Sequence, residues 1–268
     1  MPCEKKQVAA VILDWAGTSV DFGCFAPLCV LLDIFAEEGL NIQTADAREP
    51  MGLAKKEHIR KILEMEHVAK EFKKNNGRDF NENDVLRLYN KFAPALVNII
   101  ENYSSPIEGV VDTILQLRSY GIKIGSTTGY TKEMMNILVP AAGEKGYSPD
   151  YCVTPDDVSR GRPYPYMIFK NMEHLGVFPP CAVIKAGDTL SDIREGKNAG
   201  VWSIGIITGS SELGLSAEEI KSMPTEALAL KKLVEERRFY KAGADFVIDS
   251  ISELPSLIET VNERLSGC

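Results

Sequence analysis

The sequence predicts an α/β fold: a doubly wound parallel-sheet (Rossmann-like) core with an inserted helical cap domain. Three observations carry that prediction. The apolar run Val8-Ala9-Ala10-Val11-Ile12-Leu13 stops abruptly at Asp14, before a Gly17-Thr18 turn, as a buried parallel strand does when it delivers a carboxylate to the carboxyl edge of a sheet. From Ile107 onward strand and helix patterns alternate, as a doubly wound sheet requires. Between them, from about Val20 to Tyr103, only helix patterns occur. The first strand is therefore expected to pair with the second half of the chain. The expected core is residues 1–20 and 104–268, and the expected cap, residues 21–103, lies over the strand ends as a lid.

Taken in order, Phe25 to Glu38 is strongly apolar at helical spacing and stops at Gly39. Helix patterns follow over Ala47 to Glu66, Val68 to Lys74 and Glu82 to Tyr103. The core strands are expected at Ile122 to Thr127, Tyr151 to Thr154, Ala182 to Gly187, Ser203 to Ile207 and Phe246 to Ile248. Helices are expected from Thr131 and over Tyr166 to Leu175, and the polar stretch Glu212 to Arg238 reads as a helical cover for the sheet. No internal repeat or low-complexity segment interrupts this order.

Composition narrows the function. With 268 residues, 44% of them apolar, the chain has ample material for a core. A net charge of −8 with no clear Lys/Arg cluster argues against nucleic-acid binding, which needs a basic face. Small anionic substrates stay possible through local cations. The six apolar residues before Asp14 are too few for a signal-peptide core, and no run approaches membrane-spanning length. Cys3, Cys24, Cys29, Cys152, Cys181 and Cys268 form no CxxC pair, so they are expected as reduced thiols in a cytoplasmic protein without membrane attachment.

Four places besides the first strand carry chemistry. Lys123-Ile124-Gly125-Ser126-Thr127-Thr128-Gly129-Tyr130 ends a strand in hydroxyls and a glycine, so Thr128 either cradles an anion or caps the following helix. Arg162, within Arg160-Gly161-Arg162-Pro163-Tyr164-Pro165, is placed to hold a phosphoryl group by a forked contact. Asp188, with Asp192 four residues later, puts further carboxylates at a strand end, where oxygen ligands suit magnesium. In the insert, Pro50 suits a first helical turn, which would align Met51, Lys55 and His58 on one face. A lysine kept from water there is either a solvated helix face or an amine activated by burial.

These ordered motifs together resemble the haloacid-dehalogenase superfamily of aspartyl-nucleophile phosphotransferases. The resemblance implies that Asp14 is the nucleophile, that Thr128 binds phosphoryl oxygens and that Arg162 replaces the usual charge-neutralising lysine. It also implies Mg2+ held by Asp14, the Ala16 carbonyl and Asp188, with Asp192 a further contact. A carboxylate nucleophile splits the displacement into two steps, and cations neutralise its charge. One position departs from the superfamily: most of its phosphatases carry a second aspartate where this chain has Ala16. Without that acid an alkoxide leaving group would go unassisted, at a cost of roughly 10²–10⁴ in rate.

Losing the acid while gaining a candidate imine-forming lysine suits cleavage of a phosphorus–carbon bond. D-W-A-G-T, P-M-G-L-x-K-x-x-H, G-S-T-T-G-Y-T, V-T-P-D-D-V with G-R-P-Y-P, and G-D-T-x-S-D are similar to the phosphonatase branch of the superfamily. This implies hydrolysis of phosphonoacetaldehyde to acetaldehyde and phosphate, within 2-aminoethylphosphonate degradation, through a Lys55 Schiff base and an Asp14 aspartyl phosphate. His58 would relay protons, and Met51, Gly52, Cys24, Gly129 and Tyr130 would line the site. A homodimer packed through the cap, with the helix from Phe25 as its surface, is implied as well. An ester phosphatase or phosphoglucomutase-like enzyme is the rival, disfavoured by Ala16. A silent anion-binding protein is disfavoured by the complete set of Asp14, Thr128, Arg162 and Asp188.

Overall fold

Strand β1 (Ala10–Leu13) is the axis of the molecule, with every residue fully buried. Its side chains alternate across the sheet: Val11 and Leu13 join one apolar cluster, Ala10 and Ile12 another. A strand buried on both faces favours apolar residues along its length, and in β1 the run ends at Asp14. The computed structural model describes residues 7–267; the stretch before Gln7, Cys3 and Cys268 lie outside the described residues. Cys24, Cys29, Cys152 and Cys181 are free thiols.

The other strands are β2 (Lys123–Thr127), β3 (Tyr151–Val153), β4 (Val183–Gly187), β5 (Trp202–Ile206) and β6 (Phe246–Ile248). All pair in parallel, in the order β3-β2-β1-β4-β5-β6. The expected doubly wound sheet is therefore present, and every predicted strand is found within a few residues of its expected limits. Chain order reverses beside β1, so the crevice at the carboxyl ends of β1, β2 and β4 is the topological switch point.

Six helices lie between β1 and β2: α1 (Phe25–Glu37), α2 (Thr44–Arg48), α3 (Lys55–Glu64), α4 (Glu66–Asn76), α5 (Glu82–Ile99) and α6 (Val110–Ser119). Helices α1 and α3 pack against α5. After β2 come α7 (Lys132–Glu144), α8 (Tyr166–Leu175), α9 (Leu190–Ala199), α10 (Ala217–Ser222), α11 (Thr225–Ala242) and α12 (Leu254–Ser266). None of the described helices is long and apolar enough to cross a membrane. The block enters and leaves the sheet side by side, since Val20 bridges both Ala16 and Pro106. On the entering strand Asp21 and Cys24 adopt positive φ, 52° and 53°, a conformation costly for non-glycine residues. The Asp21 carboxylate offsets that cost by accepting from the Phe25 and Ala26 amides at 2.9 and 3.1 Å, which caps α1.

Two sequence expectations need correction, and one open alternative is decided. Ala47 to Glu66 is not one helix: Pro50 has no N–H to continue α2, and Gly52 at φ 83° turns the chain before α3 begins. Pro50 thus lies in a connecting turn and Met51 precedes α3, so only Lys55 and His58 share its face. Glu212 to Arg238 is also interrupted, with α10 starting at Ala217 and Pro224 separating it from α11. Finally, the helix after β2 is capped by Thr131, whose Oγ1 accepts from the Met134 amide, and not by Thr128.

Candidate active site

Asp14 leaves β1 with its amide donating to Ala186 O at 3.0 Å and its own carbonyl accepting from Ser19 Oγ at 2.6 Å. The chain then doubles back, with the amides of Thr18, Ser19 and Val20 all converging on Trp15 O. Gly17 in this turn has φ 88°, and a Cβ there would lie 2.3 Å from Asp188 Oδ2. Only glycine lets the two strand ends approach so closely.

Asp14, Asp188 and Asp192 are all buried, and one oxygen from each lies within 4.8 Å of the others. Asp188 is fixed by Thr18 Oγ1 at 3.1 Å and by the Ser211 amide at 2.8 Å. Burial, then the negative charges of Asp14 and Asp192, push the Asp188 carboxyl well above its ordinary range. Such a cluster of oxygen donors suits a hard divalent cation. Asp192 is the most occupied of the three: Oδ2 bonds Thr189 Oγ1 at 2.5 Å and Oδ1 meets Lys185 at 2.8 Å and Arg162 at 3.0 Å.

The side chain of Arg162 is buried against three acids. Nη2 lies 2.6 Å from Asp14 Oδ1 and 2.8 Å from Thr127 Oγ1, and Nε donates to Glu195 Oε2 at 3.0 Å. Burial works against its charge, but Asp14, Asp192 and Glu195 outweigh that and raise its pKa above the ordinary arginine value. Thr128 faces the pocket and its Oγ1 accepts from the Tyr130 amide at 3.1 Å. The adjacent Thr127 instead turns its hydroxyl to Arg162 and Glu195.

The insert closes this crevice. Gly52 packs on Thr189, where a Cβ would come within 2.4 Å of Oγ1, and Gly129 packs on Leu53 O, where a Cβ would come within 2.5 Å. The resulting pocket holds no more than about 260 Å³, its mouth included. Asp14, Ala16, Cys24, Met51, Gly52, Lys55, Thr128, Gly129, Tyr130, Arg162 and Thr189 line it. Lys55 is 4% exposed, lies 4.8 Å from the Tyr130 ring centroid, and has no ion pair among the described residues. Burial, with Arg162 adding to it against the pull of Asp14, lowers the Lys55 amine below its ordinary value. His58, one turn along α3, is fully buried with Nε2 2.7 Å from Ala47 O and Nδ1 without a partner. Burial and then Lys55 push it down to about 3, so it is a neutral imidazole behind the pocket and not part of its lining.

A family model described as haloacid dehalogenase-like hydrolase matches residues 8–200. The chain belongs to that hydrolase family. Among members of the family, a phosphonoacetaldehyde hydrolase from Bacillus cereus is 49% identical over 96% of this chain and 98% of its own length. The bifunctional phosphonoacetaldehyde hydrolase/aminoethylphosphonate transaminase of Clostridioides difficile is 50% identical over 98% of this chain, which spans 41% of that longer protein. A crystal structure of a phosphonoacetaldehyde hydrolase-like protein from Oleispira antarctica superposes with a TM-score of 0.96 at 40% identity, covering 98% of this chain and 95% of that one. The likeness to the phosphonatase branch read from the motifs therefore holds across this hydrolase.

The pocket thus gathers ten of the predicted residues and leaves His58, Asp188 and Asp192 just behind its surface. Sequence reasoning missed Thr189, Glu195 and Lys185. Glu195 was findable, since it falls three residues after Asp192 on the same helix face. Lys185 was hidden inside an apolar strand pattern, where a lone lysine carries no signal of its partner.

Proposed function

We propose that this hydrolase cleaves the phosphorus–carbon bond of phosphonoacetaldehyde, giving acetaldehyde and phosphate. The observation that carries this reading is Lys55: an unpaired, buried amine shares a small pocket with Asp14 and Arg162, at a site where Ala16 offers no acid. The pocket is small, about 260 Å³ with its mouth included, and suits small substrates.

In this reading the free Lys55 amine adds to the aldehyde carbon, and water leaves as the imine forms. Asp14 attacks phosphorus; the phosphorus–carbon bond breaks and its electron pair moves into the protonated imine, giving an enamine. Protonation at carbon and addition of water then release acetaldehyde and free Lys55. A second water cleaves the aspartyl phosphate and frees Asp14. The sum consumes one water per turnover, and the leaving carbon needs an electron sink where an ester would need a proton donor. Arg162 and Thr128 bind the phosphonate oxygens. The Tyr130 ring favours the positive charge of the iminium, and His58, neutral and anchored on Ala47, orients α3.

Asp14, Asp188 and the Ala16 carbonyl, with Asp192 beside them, would hold Mg2+, which supplies charge neutralisation at the phosphoryl oxygens. Residues 21–103 are read as the cap over a core of 1–20 and 104–268, with α1 as the surface of a cap-to-cap homodimer. The same chemistry makes the chain a step in 2-aminoethylphosphonate degradation.

Borohydride reduction in the presence of phosphonoacetaldehyde, followed by peptide mapping, tests the reading. A substrate-dependent adduct on Lys55 supports it. No adduct, with normal phosphate release from esters, would return the chain to the ester phosphatases. Lys55→Arg is expected to abolish turnover with an unchanged circular-dichroism spectrum; retained turnover would sink the imine.

A further inference from the structure

We propose that Glu195 is the positioning residue for phosphoryl recognition: its carboxylate holds the Nε side of Arg162 so that Nη1 and Nη2 face the pocket beside Asp14. The proposal rests on the reading that Arg162 binds the phosphonate.

Glu195 is fully buried on α9 and does not line the pocket. Its Oε2 accepts from Arg162 Nε at 3.0 Å and from Thr127 Oγ1 at 3.1 Å. Thr127 Oγ1 in turn stands 2.8 Å from Arg162 Nη2, so carboxylate, hydroxyl and guanidinium close a ring of contacts. The neighbouring Lys185 is committed elsewhere: it is 2.8 Å from Asp192 Oδ1 but 3.9 Å from Glu195 Oε2. Asp192 Oδ1 is shared between Lys185 and Arg162 Nη2, 3.0 Å away, whereas Glu195 is the carboxylate on the Nε edge of Arg162.

The arrangement explains how an arginine serves where the superfamily uses lysine. A guanidinium is a rigid plane with donors on more than one edge, so one edge can be tethered while another remains a fork. An ammonium has no second edge to tether. Here the Nη1 contact is the long one, 3.4 Å to Gly52 O, which leaves that donor the readiest for a ligand oxygen.

Stability does not account for Glu195. Its Oε1 is buried without a partner, and burying a carboxylate beside a cation gains little over an apolar side chain of like size. The backbone beneath it is nonetheless held tightly: a Cβ on Gly196 would come within 2.3 Å of Ser203 Oγ and 3.2 Å of Lys185 Cβ. Glu195 is thus held in place on a rigid support, as an orienting group must be.

The test compares the magnesium-loaded full chain with Glu195→Gln, Arg162→Lys and the double variant. Three readouts are taken: kcat and KM for phosphonoacetaldehyde, inhibition by inorganic phosphate, and borohydride labelling of Lys55 by acetaldehyde, which carries no phosphonate. Glu195→Gln is expected to lower kcat/KM by about 10- to 100-fold, the range for losing an outer partner of a site residue, and to weaken phosphate inhibition in parallel. Acetaldehyde labelling stays at the wild-type level. In the Arg162→Lys background the same change has less than about a 2-fold effect, because its target is gone. Equal losses in both backgrounds, or lost acetaldehyde labelling in Glu195→Gln, overturn the proposal. So does a normal Glu195→Gln enzyme beside a crippled Arg162→Lys one, whereas wild-type phosphate inhibition in Arg162→Lys removes the underlying reading of Arg162 and the proposal with it. If Glu195→Gln does not fold, Glu195→Asp replaces it, with the carboxylate withdrawn by one methylene and the same expectations.

Discussion

The Lys55 ammonium and the Tyr130 ring face each other at 4.8 Å inside a closed pocket. The two influences on Lys55 oppose one another: burial disfavours its charge, while the ring face attracts charge. Because burial prevails and lowers the amine's pKa, the free base persists to lower pH than for an exposed lysine near 10.5. The pH profile of kcat/KM should therefore rise through a midpoint below 10.5, with activity lost as pH falls through it. Tyr130→Leu removes the ring's attraction and should slow the imine-dependent reaction by about 2- to 30-fold, the range of a cation–π contact. A midpoint at or above that of free lysine would contradict the burial argument.

His58 ties acid stability to the same helix. Folded, it titrates at about 3 because of burial and then the Lys55 charge; its ordinary value is 6.5. Between those values the unfolded chain binds a proton that the folded chain refuses, so the contribution is intact above pH 6.5 and is lost as pH falls toward 3. The slope reaches about 1.4 kcal/mol per pH unit. Thermal melts at pH 7.5 and pH 5 should show a larger loss for the wild type than for His58→Gln. Parallel losses would mean that His58 is not the group.

Gly129 tests the seam between insert and sheet. A methyl there meets the Leu53 carbonyl at 2.5 Å, and a backbone oxygen has no rotamer by which to yield. Gly129→Ala should push the Met51–Leu53 turn outward, taking Lys55 with it. Turnover should fall about 10²-fold, the cost of an ångström-scale misplacement, while the melting temperature changes little. Unchanged kinetics would show that the pocket forms without this contact.

Metal removal separates the two halves of the chemistry. Chelation should stop phosphate release, and magnesium should restore it. Borohydride labelling of Lys55 should survive chelation, because the proposed imine formation uses none of the Asp14, Asp188 and Asp192 carboxylates that cluster for the metal. Loss of labelling on chelation would tie Lys55 to the metal instead.

Most of the sheet was legible because buried parallel strands write themselves as apolar runs, and three of those runs end at residues of the candidate site. Asp14, Thr128 and Asp188 follow β1, β2 and β4 for that reason. The turn at Pro50 to Ala54 was not legible as a turn, because Met51, Lys55 and His58 mimic helical spacing across it. Gly52 was the clue, since its φ of 83° ends any helix. Side-chain pairing was the least accessible layer. Nothing in the spacing says that Arg162 reaches Asp14 at a sequence separation of 148, or that Thr128 lines the pocket while Thr127 does not.

Val20 touches both Ala16 and Pro106, so the inserted block leaves the sheet and returns to it at one point. Excising it and joining the two crossings would leave all six strands of the sheet in place. The proposed nucleophile and the proposed electron sink thus travel on separable pieces of chain: Asp14 with the sheet, Lys55 with the insert. On that reading, a lineage holding this sheet can acquire a new bond to break by exchanging one contiguous cassette, without disturbing Asp14.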